Sequence, residues 1–378
     1  MRVELQPRRF RFRSPLRAAW GTLAHRDVLV LSLTDDDALT GRGEAAPLEP
    51  YDGVSLDRAA AALEAYRPVL ESAPPRSRGS GPRPAGAAGS PPVAGQPPFA
   101  GQPPSVVPPL TAAPPRTLLD ACREADPLPQ ALAAVDMALW DLGARRRSAP
   151  VCTLLAGDPA RAVPVNASIT AADRSGAAAQ AQAAVAAGYA CLKVKVGLGD
   201  DAGRVAAVRA AAGPDVLLRL DANAAWSREE AVRMIETLAP AGLELVEEPV
   251  RGLAAMRWVR ERVSVRIAMD ETASEPGALA SGAADAVCLK VAARAGISGV
   301  LAAATLVRTS GAEAYLSSTY DGPYGIAAGV HAAAALRTLG DVPPCGLATL
   351  GLFEDVIDPF VPVGGAIETP QAPGLGVD

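Results

Sequence analysis

Hydrophobic and polar positions change period along this chain, and the changes outline its elements. Up to about residue 50 the pattern is that of short β segments. Val28-Leu29-Val30-Leu31-Ser32-Leu33 is a strand candidate, Asp35-Asp36-Asp37 a turn, and Gly41-Arg42-Gly43-Glu44-Ala45 the returning strand of a meander. A helix is predicted from Ser55 to Leu70. Helical spacing resumes at Leu128 and runs to about Arg147, with Leu132, Val135, Met137, Leu139, Trp140 and Leu142 on an apolar face. From Val163 short strands alternate with helices. The strands are predicted at 163–168, 189–196, 216–221, 243–247, 265–269, 285–290 and 313–317, and helices among them at 175–187, 203–212, 227–239 and 296–308. Seven or eight such units in about 190 residues predict a closed parallel β/α barrel rather than an open sheet, with any active site at the C-terminal strand ends.

Three stretches break the pattern. Residues 73 to 117 are dominated by Pro, Gly, Ala and Ser and lack the apolar surface needed to offset ordering entropy, so they read as a disordered insert. Residues 14–22, which include Trp20, and residues 47–53, which include Tyr51, read as loops: either substrate lids or ordinary connections. The tail from Gly346 is rich in Pro and Gly and is expected to return to the N-terminal region.

Composition narrows the class. Hydrophobic residues make up 49% and aromatics only 4%, so the core must be built from Ala, Val and Leu. A net charge of −5 and arginines scattered among acids argue against a nucleic-acid binder. The five cysteines, Cys122, Cys152, Cys191, Cys288 and Cys345, are widely spaced in apolar surroundings, as expected of reduced core residues in a cytoplasmic protein. No segment reads as a signal peptide or a membrane span. The two histidines, His25 and His331, lie away from the strand ends and are expected in core or surface roles.

The candidate chemistry begins with lysine. Of the 36 basic residues only Lys193, Lys195 and Lys290 are lysine. Arginine stays protonated, whereas lysine can lose its proton and act as a base. Lys193 and Lys195 share one face of a strand, so each is expected to depress the other's pKa. Successive strand ends then carry Asp221, Glu247, Asp270 and Lys290, at steps of 26, 26, 23 and 20 residues from Lys195. Each step is about one β/α unit. One carboxylate on each of three neighbouring strands makes an oxygen cage suited to Mg²⁺. Asn223 either orients a ligand or caps the following turn, and Glu248 and Glu271 read as supporting or solvated groups.

The motifs Lys193-Val194-Lys195, Asp221-Ala222-Asn223, Glu247-Glu248-Pro249, Asp270-Glu271 and Lys290 resemble those of the enolase superfamily, in its muconate-cycloisomerase-like subgroup. The helix Ala134 to Leu142 is similar to that family's lead-in to the barrel. The resemblance implies a (β/α)7β modified TIM barrel with an N-terminal α+β capping domain. It divides the chain into a cap at 1–127, a barrel with its lead-in helix at 128–345, and a tail at 346–378. It also implies an essential Mg²⁺ held by Asp221, Glu247 and Asp270. Lys195 would be the base on one face of a small carboxylate substrate and Lys290 would lie on the other, with Lys193 tuning Lys195.

The implied chemistry is removal of a proton α to a carboxylate, giving an enediolate. The loop Ser317-Ser318-Thr319-Tyr320-Asp321-Gly322-Pro323 resembles that of o-succinylbenzoate synthases and cycloisomerases, and lacks the Asp-x-Asp usual in dipeptide epimerases. Dehydration of a cyclohexadiene carboxylate in menaquinone synthesis, a carbon–oxygen lyase reaction, is therefore expected. A racemase or epimerase of N-acylamino acids or dipeptides, a muconate-type cycloisomerase, and a non-catalytic binding relative are the alternatives. Ser318, Asp321, Asn223, Trp20 and Tyr51 are the substrate-contact candidates, and a homo-oligomer is compatible with the sequence.

Overall fold

The computed structural model describes residues 1–18, 21–72 and 116–377. Trp20 and residues 73–115 of the expected insert lie outside the described residues, while residues 116 and 117 already begin a helix.

A three-stranded antiparallel sheet opens the chain: β1 (Arg2–Ala18), β2 (Gly21–Thr34) and β3 (Thr40–Ala45). Residues 14–22, expected as a loop, belong mainly to this hairpin. Leu16, Arg17 and Ala18 pair with Leu23, Thr22 and Gly21, after a register shift between Arg11 and Leu16. Pro15 has no N–H to donate, and the irregularity lets the ladder pass it. Residues 47–53 contain one helical turn, α1 (Glu49–Asp52), started by Pro50 and ended by Gly53 in the left-handed conformation.

Helices α2 (Leu56–Glu71) and α3 (Arg116–Ala125) precede α4 (Pro129–Arg145), which is almost wholly buried. One side of α4, including Ala131, Leu132, Val135 and Leu139, joins the core under the N-terminal sheet. The other, including Ala133, Met137 and Trp140, joins the barrel core. A short α5 (Val151–Leu155) leads to β4 (Ala162–Pro164), which pairs with the tail strand β12 (Ala366–Glu368).

The barrel strands are β5 (Ala167–Ile169), β6 (Cys191–Lys195), β7 (Leu217–Asp221), β8 (Leu245–Glu247), β9 (Arg266–Met269), β10 (Ala286–Leu289) and β11 (Glu313–Leu316). They form one parallel sheet in chain order. Between them run α6 (Arg174–Ala186), α7 (Asp201–Ala212), α8 (Arg228–Leu238), α9 (Leu253–Arg260) and α10 (Ile297–Thr309), with α11 (Pro323–Leu336) after β11. Two 3-10 turns replace a helix between β9 and β10. The eighth position is Cys345-Gly346: Cys345 bridges Val165 beside β5, and Gly346 bridges Ser317 beyond β11, both in parallel. The sheet's two edges thereby meet, and the fold is a modified TIM barrel with a capping domain. Strands buried on both faces explain the near-continuous apolar runs of β10 and β11.

The tail touches both layers. Phe353 stacks near Phe10 and Phe12 of β1, at centroid distances of 5.4 and 4.7 Å, and Leu375 N–H donates to Asp141 of α4 at 2.7 Å.

Candidate active site

The register of the barrel builds the site. Lys195 pairs directly with Asp221, and Asp221 with Glu247. Neighbours in register place their side chains on the same side of the sheet, so these three share one level inside the barrel. Glu247 in turn pairs with Ala268, and Asp270 lies two residues further along the same face. The third carboxylate is therefore higher than the other two. Lys193, two residues before Lys195, enters one layer deeper.

A cleft of roughly 630 Å³, open mouth included, is lined by Tyr51 from the cap, by Lys193, Lys195, Asp221, Asn223, Asp270 and Lys290 from strand ends, and by Ser318. That is the scale of a small-molecule site. Lys195 Nζ donates to Asp221 Oδ2 at 2.7 Å and to Asn223 Oδ1 at 2.6 Å. Lys193 Nζ sits between Glu247 Oε1, at 2.7 Å, and Asp221 Oδ2, at 2.9 Å. Lys290 Nζ pairs with Asp270 Oδ1, lies 3.1 Å from Tyr51 Oη and stands 4.6 Å from the Tyr51 ring centroid. Tyr51 O–H also donates to Asp270 Oδ1 at 2.7 Å, which ties the cap to the barrel site.

The charge state departs from the expectation of mutually depressed lysines. Burial lowers the pKa of Lys193 and of Lys195, but Asp221, with Glu247 at Lys193, outweighs both burial and the neighbouring ammonium, so both are raised. Lys290 is likewise held well above its ordinary value: burial lowers it and Asp270 more than offsets that. Asp221, though buried, is driven below the usual carboxylate range by Lys193 and Lys195. The lysine pair is thus a minority partner in a field of carboxylates.

A supporting layer holds these groups. Tyr315 O–H donates to Glu247 Oε2 at 2.6 Å. Glu248 accepts from the backbone of Asp270 at 2.7 Å and of Thr272 at 2.8 Å, fixing the turn that carries Asp270. Asn223, at φ +44°, places its amide between Lys195 and Glu271, donating to Glu271 Oε1 at 3.0 Å. Glu248 and Glu271 are buried, and burial raises their carboxyls to about 8 and about 7.

Asp321 is set apart. It is buried but does not line the cleft; its carboxylate accepts the N–H of Thr319 at 3.3 Å and the Thr319 hydroxyl. Ser318, Thr319 and Tyr320, the last at φ +58°, line the cleft, and Asp321 does not. Further lining groups lie outside the motifs at the strand ends. Asn166, Ser168 and Thr170 line the first strand's end, and their i, i+2, i+4 polar alternation was a readable signal. Thr349, 2.9 Å from Ser318 through their hydroxyls, carries no such signal.

The donor chemistry suits a small hard dication, and two of the three expected carboxylates are already gathered, while Asp221 stands outside that group and is joined to it through Lys193. Carboxylate oxygens of Glu247 and Asp270 lie within 4.8 Å of each other, with Cys288 Sγ equally near, and Lys193 links Glu247 to Asp221. Three buried carboxylates offer oxygen donors only, the preference of Mg²⁺. The Cys288 thiol, pushed well up by burial, is a neutral neighbour.

This barrel, with lysines on opposed strands and acids between them, defines a class. Residues 176–378 match the family described as "Enolase C-terminal domain-like", and residues 104–156 match "Mandelate racemase / muconate lactonizing enzyme, N-terminal domain". The chain belongs to the enolase superfamily. It is 41% identical over 216 residues to the o-succinylbenzoate synthase of Thermobifida fusca, covering 54% of this chain and 66% of that protein, a little under two thirds of its length. It is 32% identical over 258 residues to the L-Ala-D/L-Glu epimerase of Clostridium acetobutylicum, covering 66% of this chain and 72% of that one. The dipeptide epimerase of Enterococcus faecalis, crystallised with Mg and L-Leu-L-Tyr, superposes with a TM-score of 0.80 at 24% identity over 99% of this chain and 98% of that chain, a likeness of fold.

Among the described residues no helix is long and apolar enough to cross a membrane. The five cysteines are free and buried. His331 is a core residue: its Nδ1 accepts from Cys152 N–H at 3.1 Å and its Nε2 faces Leu375 O at 3.3 Å.

Proposed function

We propose that this chain is a Mg²⁺-dependent dehydratase of o-succinylbenzoate synthase type. It would abstract the proton α to a carboxylate and expel a β-hydroxyl as water. The observation that carries this reading is the placement of Lys195 and Lys290 on opposite sides of one cleft, with Asp221 and Asp270 lining it between them.

Asp221, Glu247 and Asp270 would hold the metal. Bound there, Mg²⁺ supplies positive charge beside the substrate carboxylate, where the second negative charge of an enediolate develops. The chain's own residues do the rest. Asp221, committed to the metal, would no longer hold Lys195 as an ammonium; Lys195 Nζ, then the free amine, takes the α-proton, and the C–H electron pair moves into the carboxylate. Lys290, held as an ammonium by Asp270 and Tyr51, faces the opposite side and stabilises the anion. The β C–O bond then breaks as the electron pair returns to form C=C. The departing hydroxyl takes the proton back from Lys195 on the same face, giving water.

Dehydration is favoured over epimerisation of an amino-bearing substrate by what the cleft offers. Its lining acids are Asp221 and Asp270, and both are already paired with lysine. Asp321 is outside the lining and its carboxylate is bonded to Thr319, so the loop after β11 presents hydroxyls and no spare carboxylate for a substrate ammonium. An N-acylated substrate has no such ammonium, and the 32% identity to an epimerase keeps epimerisation as the second reading.

The test is a panel with purified protein and Mg²⁺. The cyclohexadiene carboxylate should lose water rapidly. Failure there, with α-proton exchange into an N-succinylamino acid or a dipeptide in heavy water, would establish the epimerase instead.

A further inference from the structure

Arg26 of β2 is buried, at 3% exposure, yet it forms no ion pair within 4.0 Å among the described residues. Its guanidinium is satisfied by main-chain carbonyls. It donates to Ala46 O at 2.6 Å, to Pro47 O, to Asp27 O at 3.0 Å and, across the cap–barrel seam, to Thr319 O at 3.0 Å. Two of these partners begin the cap segment that carries Leu48 and Tyr51 into the cleft. The last lies within the barrel loop that contributes Ser318, Thr319 and Tyr320.

Independent contacts run along the same seam. Glu44 Oε1 accepts from Gly322 N at 2.6 Å, while its buried Oε2 has no partner. Tyr320 packs edge-on against Phe12 of β1 at 5.7 Å between centroids. Asp321 and Glu44 are the carboxyl groups that act most strongly on Arg26, and burial is the largest factor acting on all three. A buried cation without a carboxylate partner is costly, and five planar donors shared among four carbonyls are what offset that cost here.

We propose that Arg26 is a positioning residue that fastens the cap segment 46–51 to the barrel loop 317–320 and so shapes the substrate-recognising wall of the cleft. It touches no reacting atom. Through Pro47 it sets the path of the chain to Tyr51, and through Thr319 it sets the hydroxyl-bearing loop opposite. Its bearing on substrate rests on the dehydratase reading; the fastening itself does not.

Arg26→Lys keeps the charge but cannot span four carbonyls, and Arg26→Gln serves the same comparison should the lysine variant not fold. Backbone amide hydrogen exchange should show segments 46–51 and 317–320 opening together, by about tenfold, while β6 and β7 exchange as in the wild type. Unchanged exchange in either segment overturns the fastening whatever the reaction proves to be. With the cyclohexadiene substrate, KM should rise by about tenfold with kcat nearly kept. Arg26→Lys combined with Tyr51→Phe should raise KM by less than the product of the single effects, because both act through one segment. Multiplicative effects, or a loss confined to kcat, overturn the role in recognition. Absence of dehydration in the wild type would instead sink the functional reading and leave the exchange result standing.

Discussion

Lys195, at the end of β6, and Lys290, immediately after β10, stand four positions apart in a ring of eight, so they face each other across the barrel mouth. Their partners differ in kind. Lys195 shares its hydrogen bonds between Asp221 and the neutral amide oxygen of Asn223. Lys290 lies against Asp270 and the face of Tyr51. Lys290 is therefore the more firmly held cation, and Lys195 is the amine better placed to exchange a proton.

Lys195→Arg should remove turnover by about 10³-fold or more while circular dichroism remains that of the folded wild type, since arginine keeps the charge and cannot serve as a base. Wild-type-like activity would refute Lys195 as the base. Lys290→Ala should weaken α-proton exchange in heavy water but leave its face selectivity unchanged, as expected of a group that only stabilises charge.

Metal dependence should reside in the carboxylates and in what orients them. Chelation should abolish activity and Mg²⁺ should restore it. Asp221→Asn, Glu247→Gln and Asp270→Asn should each show strongly weakened Mg²⁺ binding by calorimetry. Tyr315→Phe removes only the 2.6 Å hydrogen bond to Glu247 Oε2, and should weaken Mg²⁺ by about tenfold. Equal affinity in that variant would show that Glu247 needs no such support.

What was legible in the sequence follows from what repeats. Asp221 and Glu247 could be read as neighbours because one β/α unit separates them and their strands pair in register. The height of Asp270 could not, because it depends on where β9 stops and its 3-10 turn begins. The strand character of residues 14–18 was hidden by Pro15, which a register shift accommodates. Asp321 resembles a site residue by its place in the loop, but its carboxylate is taken up by the Thr319 N–H and hydroxyl and does not line the cleft, a local bond that the order of residues does not reveal. Arg26 gave no signal at all: its partners are main-chain carbonyls, one of them 293 residues distant.

The contact of the N-terminal sheet with α4 depends on Gly41 and Gly43, which have no side chains. A Cβ on Gly43 would lie 2.1 Å from Ala134 O and 2.8 Å from Ala138 N, which is backbone that cannot yield without shifting the helix. Gly43→Ala should therefore destabilise the protein by about 3 kcal/mol, from overpacking, as read from denaturant midpoints at unchanged slope. A change within error would mean that α4 sits less tightly on β3 than its close approach implies.

His331 supplies a pH dependence with a definite sign. It is fully buried in α11, and burial lowers its pKa from 6.5 to about 4. With Nδ1 accepting from Cys152 and Nε2 facing Leu375 O, the neutral ring is satisfied and a second ring proton would meet the Cys152 N–H. Between pH 6.5 and about 4 the unfolded chain binds a proton at this residue that the folded chain does not. Stability must then fall as the pH is lowered through that window, by roughly 3 kcal/mol at its foot from this group alone. Above pH 6.5 both states are neutral here and the contribution is flat. His331→Gln should be less stable at pH 7, having lost two hydrogen bonds in the core, yet the difference from wild type should narrow steadily as the pH falls. Urea unfolding of both proteins at several pH values between 7 and 4 measures that difference directly, and a constant gap would show that His331 is protonated in the folded state.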